Sequence, residues 1–155
     1  MSVPEGKRSK GKLNIETEAF KFLDYICDIT TKYYLPPEFE DGDDKNKIIQ
    51  EHEQCKWFAE RMRSMALDCL SQVQEANRII VDDDIEALNE RKKFQDRAER
   101  ALENLHAAAS VMYRKRKLKS TRLKKIGTDV GDLKKKIQSW RKSDKYRFGL
   151  THKEA

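Results

Sequence analysis

Six apolar residues near the C-terminal end, Leu123, Ile126, Val130, Leu133, Ile137 and Trp140, recur at alternating intervals of three and four. On an α-helix that spacing gathers every member onto one face. On an extended strand it would scatter them over both. Such a seam belongs to a helical bundle or a coiled coil, because one apolar stripe must bury against another. The rest of the chain keeps the same rhythm. Ala19, Phe20, Leu23, Ile26, Cys27 and Tyr34 predict a first helix over about 14–34, which Asn14 could cap and Pro36–Pro37 ends. Ile48, Cys55, Phe58, Met62, Met65, Ala66, Cys69, Val73, Ala76 and Ile80 predict a second over about 45–79. Ile85, Leu88, Ala98, Leu102, Leu105, Ala109 and Met112 predict a third over about 84–113, capped by one of Asp82–Asp84. Gln95 interrupts that third stripe.

With 6 Gly and 3 Pro in 155 residues, the chain has few places to turn. No stretch alternates β-branched residues at period two, so no strand is expected. The expected fold class is all-α, an up-down-up-down four-helix bundle over residues 13–143. A basic N-terminal tail over 1–12 and a flexible C-terminal tail over 144–155 are expected to flank it.

Charge is distributed unevenly. From Arg114 to Ala155 there are 16 Lys/Arg against 4 Asp/Glu, a net +12. Residues 1–12 carry a net +3, and residues 13–113 carry −9, within a whole-chain charge of +6. A cationic end on an anionic body favours a phosphate-rich or acidic partner at one place. The candidate nucleic-acid-binding residues are Arg114, Lys115, Arg116, Lys117, Lys119, Arg122, Lys124, Lys125, Lys134, Lys135, Arg141 and Lys142. All are expected around the fourth helix, off its apolar seam. Like charges at i and i+4, such as Lys115 with Lys119, would repel there, and a polyanion would relieve them. Gly127 and Gly131, four apart in the same helix, suggest close approach of another helix within the bundle or from a second subunit. Trp140 closes the seam. Trp57, beside Phe58, could anchor an interface.

Chemistry-bearing motifs are sparse. Cys27, Cys55 and Cys69 are odd in number, without metal-ligand spacing, and are expected reduced in a cytoplasmic protein. No apolar run reaches the roughly 20 residues that span a bilayer, and the polar stretch Met1–Arg8 does not resemble a signal peptide. There is no Gly-rich phosphate loop, Glu-x-x-His pair or nucleophile elbow. Neither a catalytic site, a metal nor a cofactor is expected. Arg100 and His106 resemble the arginine–histidine signature of HEPN ribonucleases, which are also helical bundles, although Ala101 stands where a polar residue is usual. A ribonuclease of that kind, or a structural bundle that binds no nucleic acid, is the alternative.

Several stretches together resemble a known family. Met1–Arg8 with Gly11-Lys12-Leu13, then Glu75-Ala76-Asn77-Arg78-Ile79 with the aspartate turn, Arg91 and Gln95 are part of the pattern. Arg122–Gly127, Leu133, Ile137 and Trp140–Lys145 complete it. The chain is similar to the accessory variability determinant (Avd-like) four-helix-bundle proteins of diversity-generating retroelements. Their superfamily includes bundle proteins encoded in ribosomal-RNA intervening sequences. The resemblance implies a non-catalytic homopentamer. It also implies binding of a reverse transcriptase and its template RNA or DNA through a positive surface. The acidic loop Glu38–Asp44 is longer than the family pattern, and the aromatic content around Gly127 is weaker.

Overall fold

Antiparallel neighbours satisfy four amphipathic stripes at once, and the chain adopts that arrangement. The computed structural model describes the backbone of residues 5–148 and the side chains of residues 14–148. It contains α1 (Glu5–Thr30), a 3₁₀ turn (Thr31–Tyr34), α2 (Lys45–Arg78), α3 (Ile85–Arg114) and α4 (Ser120–Phe148). Among the described residues there is no strand. Each helix packs on its chain neighbours and α1 closes against α4, while the diagonal pairs stay apart. Cross-helix partners run in opposite order along the chain: Arg63 reaches Thr30 and Asn77 reaches Glu16. Likewise Lys134 reaches Glu103 while Asp144 reaches Arg91. The helices therefore alternate up and down, and the expected four-helix bundle is the fold.

The core is one continuous cluster. Ile26, Met62, Leu102, Leu105, Met112, Ile126 and Ile137 are its largest fully buried apolar side chains. Each contributes about 1.5–3 kcal/mol by leaving water. Small residues, Ala59, Ala66 and Ala76 on α2 with Ala98, Ala101 and Ala109 on α3, line the core face of the most extensively packed pair. The α4 seam from Ile126 to Trp140 is buried as its spacing requires, with Leu123 partly buried at its start.

Two caps match the local chemistry. The Asp44 carboxylate accepts from Lys47 N–H, and that of Asp84 accepts from Glu86 and Ala87 N–H. The far end of α1 is held by α2: Arg63 donates to the Cys27 carbonyl at 2.9 Å and to Thr30 Oγ1 at 2.8 Å.

The structure corrects several expectations. The stretch over 1–12 is not all tail, since α1 starts at Glu5 and Asn14 lies inside it rather than capping it. Lys and Arg are good helix formers, and extending an existing helix needs no new nucleus. Residues 1–4 and 149–155 lie outside the described residues, as do the side chains of 5–13. The first stripe is rotated from its expected phase: Phe22 is buried with Ile15, Ala19, Ile26 and Ile29, whereas Phe20 is 58% exposed. Ile80 is exposed beyond the end of α2, and Val81 is the residue that turns inward. The expected C-terminal tail begins too early. Residues 144–148 continue α4, and Asp144 is buried there in a polar cluster.

That cluster explains Gln95. Arg91 donates to Asp144 Oδ1 at 2.9 Å and to the Ile79 carbonyl, and Gln95 donates to Asp144 Oδ2 at 3.0 Å. All three side chains are buried, so α3, α4 and the α2–α3 turn are tied together by one network. Arg91 Nε and Trp140 Nε1 are buried without a hydrogen-bond partner.

Candidate nucleic-acid interface

The basic run does not form one helix. α3 ends at Arg114 and α4 begins at Ser120, so Lys115–Lys119 make a turn between them. The turn is a Schellman motif built without glycine. Lys117 N–H bonds the Met112 carbonyl at 2.9 Å, and Arg116 N–H bonds that of Tyr113 at 2.9 Å. Arg116 takes the left-handed backbone conformation, φ +61°, at the position glycine usually occupies. No helix-stop residue marks this break in the sequence, which is why the stretch read as helical. Leu118, buried among the core residues, pins the turn to the bundle. Tyr33 adds a second tie, its hydroxyl donating to the Lys117 carbonyl, and burial pushes that phenol up to about 12. Lys115 and Lys119 thus share no helix, and helical i,i+4 repulsion between them does not arise.

The structure splits the candidate cations into two groups. Four are neutralised by carboxylates. Lys117 pairs with Glu51 at 3.3 Å, Lys125 with Asp129 at 3.1 Å, and Lys134 with Glu103 at 2.9 Å. Arg141 pairs with Asp96 at 2.7 Å and with Glu99. The Lys134 ammonium, hydrogen-bonded to Glu103, holds that carboxyl below its usual range. Lys136, also basic, pairs with Glu18 of α1. Arg114, Lys115, Arg116, Lys119, Arg122, Lys124, Lys135 and Lys142 make no ion pair among the described residues, and all are exposed. Five of these eight lie between Arg114 and Arg122, at the α3–α4 end of the bundle. The remaining three follow α4, at intervals of 11 and 7 residues, about 16 and 10 Å along the axis, with Lys135 at the edge of the α1–α4 groove.

A concavity of about 600 Å³ opens at that end. It is lined by Lys32, Tyr113, Arg114, Arg116, Lys117, Leu118, Lys119 and Ser120. Five of the eight are cations and none is a carboxylate. Lys32, supplied by the 3₁₀ turn after α1, had no place among the sequence candidates; only the packing of that turn brings it here. The start of α4 adds to the positive field. Its first turn holds no acidic residue, and the first two of its backbone bonds go to the Lys119 carbonyl. Cations there oppose the helix dipole, so the arrangement is locally unfavourable without an anion.

The α1–α4 groove is the contrasting case. It measures about 500 Å³ and is lined by Lys21, Lys125, Lys135 and Lys136, but also by Glu18, Asp129 and Asp132. Lys125 sits 4.7 Å from the Tyr25 ring centroid. Mixed charge makes this groove a poor seat for a polyanion.

The glycines separate. A Cβ on Gly127 would come 3.4 Å from His106 Nε2 of α3, so its close neighbour lies within the bundle, whereas Gly131 faces nothing within 4 Å. His106 is therefore half-buried against α4, and Arg100 is exposed. Six residues of helix place them about 120° apart around α3, so they do not converge in one chain. Trp57 is 55% exposed, edge-on to Phe58. Cys55 and Cys69 are buried, Cys27 is half-buried, and all are free thiols. Among the described residues no cluster of three His, Cys, Asp or Glu could hold a metal, and no helix is long and apolar enough to cross a membrane. Comparison with protein-family models, with curated proteins and with solved structures gives no significant match. Fold and site together define an all-α four-helix bundle with a concavity at its α3–α4 end that is lined by cations and no carboxylate.

Proposed function

We propose that this chain is a non-catalytic nucleic-acid-binding accessory protein. The observation that carries the reading is the carboxylate-free cationic concavity at the α3–α4 turn. Two locally unfavourable choices meet there: a left-handed arginine and cations at a helix N-terminus. Departures from local preference concentrate at functional sites. RNA or DNA relieves them by placing phosphate against these groups. The resemblance to Avd-like proteins extends the proposal to a partner reverse transcriptase, a role in mutagenic cDNA synthesis and a homopentamer. The exposed Phe20, Trp57 and Leu67 on α1 and α2 support subunit contact.

The test is the salt dependence of binding to an RNA oligonucleotide, followed by fluorescence polarisation. Five phosphate contacts imply a slope of log K against log salt of about −3.5 for a single strand. Changing Arg114, Arg116 and Lys119 together to alanine is expected to flatten that slope by about 2. Changing Lys125, Lys134 and Arg141, already neutralised, is expected to alter it far less. Equal effects from the two triple variants, or no binding at low salt, would overturn the proposal.

A further inference from the structure

An aromatic ring is part of the lining of the cationic concavity. Tyr113, in the last turn of α3, is 44% exposed and lines the cavity with five cations around it. Its ring makes no aromatic or cation–π contact among the described residues, unlike those of Tyr25, Tyr33 and Tyr34. Leaving a tyrosine face open beside unpaired lysines and arginines is the arrangement that binds single strands, where bases stack on the ring and cations follow the backbone. A duplex turns its base faces inward and offers only edges in its grooves. The cavity volume of about 600 Å³ suits a small ligand such as one nucleotide and is far too small for a double helix.

We infer that the α3–α4 turn is a single-strand subsite: one unpaired base stacks on Tyr113 while its phosphates meet Arg116, Lys119 and the start of α4 at Ser120. This rests on the nucleic-acid reading above and names its substrate class. The stack gives the ring a role that a purely electrostatic surface would not need. The Ser120 hydroxyl and the first N–H groups of α4, whose first turn holds no acidic residue, offer phosphate a seat beside it.

The experiment compares a labelled short oligouridylate with a duplex of the same length against the full chain, Tyr113→Ala and Tyr113→Phe. Wild-type protein is expected to prefer the single strand. Tyr113→Ala is expected to weaken single-strand binding about 5- to 150-fold, the range for one stacked base. Tyr113→Phe keeps the ring and is expected to stay within about 2-fold, and duplex binding should change little in either variant. Circular dichroism checks that the variants fold. Should the alanine variant fail that check, photo-crosslinking of wild-type protein to a thiouridine-substituted strand decides, with Tyr113 the expected adduct. Equal binding of strand and duplex, indifference to Tyr113→Ala, or crosslinks confined to other residues would overturn the subsite while leaving the nucleic-acid reading intact. Absence of binding to either probe would remove both. Polyglutamate bound as tightly as the oligonucleotide would also remove both, in favour of an acidic protein partner.

Discussion

Removing the Asp144 carboxylate is expected to destabilise the whole bundle, although Asp144 sits only four residues from the end of α4. Arg91 and Asp144 are 3% and 5% exposed, so the pair lies out of water. In Asp144→Ala the guanidinium keeps one acceptor among the described residues, the Ile79 carbonyl, and the Gln95 amide loses the acceptor it donates to. Breaking a buried pair by deleting one partner costs about 3–5 kcal/mol, because the other charge stays buried and unpaired. Domains of this kind hold about 5–15 kcal/mol in total. At about 2–4 °C per kcal/mol, the melting temperature should fall by about 6–20 °C. Urea denaturation followed by far-UV circular dichroism measures the free energy directly. A companion variant, Arg91→Met with Gln95→Leu and Asp144→Leu, removes the three polar side chains together, leaves only the Ile79 carbonyl without its donor, and should lose far less than Asp144→Ala, since apolar replacements avoid desolvating the charges. The refuting result is a loss below about 1 kcal/mol for Asp144→Ala, which would mean that the last turn of α4 simply frays and takes the network with it. Additive effects of Arg91→Ala and Asp144→Ala in a double-mutant cycle would refute the coupling as well.

Arg116→Gly should raise stability by about 1 kcal/mol, because glycine adopts φ +61° without strain, while weakening oligonucleotide binding; a variant that gains in both would show the arginine has no binding role. Gly131→Ala should add about 0.5–1 kcal/mol in thermal denaturation, since a Cβ there meets nothing in the chain and alanine favours helix. A loss of oligomer in that variant would instead place a neighbouring subunit on this face. Burial pushes the Cys69 thiol from its usual 9.0 up to about 12. Cys69 should therefore resist thiol reagents at neutral pH until the protein unfolds, with half-buried Cys27 modified first. The sign for stability follows from the folded state holding its proton longer than the unfolded chain. The contribution is complete below pH 9 and is lost progressively towards pH 12, with Tyr33 acting in the same direction between 10 and 12, as a pH series of melts would record.

Periodicity is a local property, and what depends on it could be read along the chain. The four helices, the α4 seam through Trp140, an aspartate cap on α3 and the apolar setting of Cys55 and Cys69 all follow from spacing and residue type, while the structure selects Asp84 as the cap. The cationic character of the chain from Arg114 onward was legible from residue type as well. The choice between Phe20 and Phe22 was not, because both lie within one turn of the α1 stripe and only the position of the neighbouring helices decides which faces inward. Nor could composition distinguish Arg114, Arg116 and Lys119, left unpaired, from Lys134 and Arg141, neutralised by Glu103, Asp96 and Glu99. Those ion pairs join residues 31 to 45 positions apart, so they depend on helix register and facing, which exist only once the bundle has closed. Closure likewise turned Gln95 from an interruption into a partner of Asp144, and brought Lys32 and Tyr113 to one cavity.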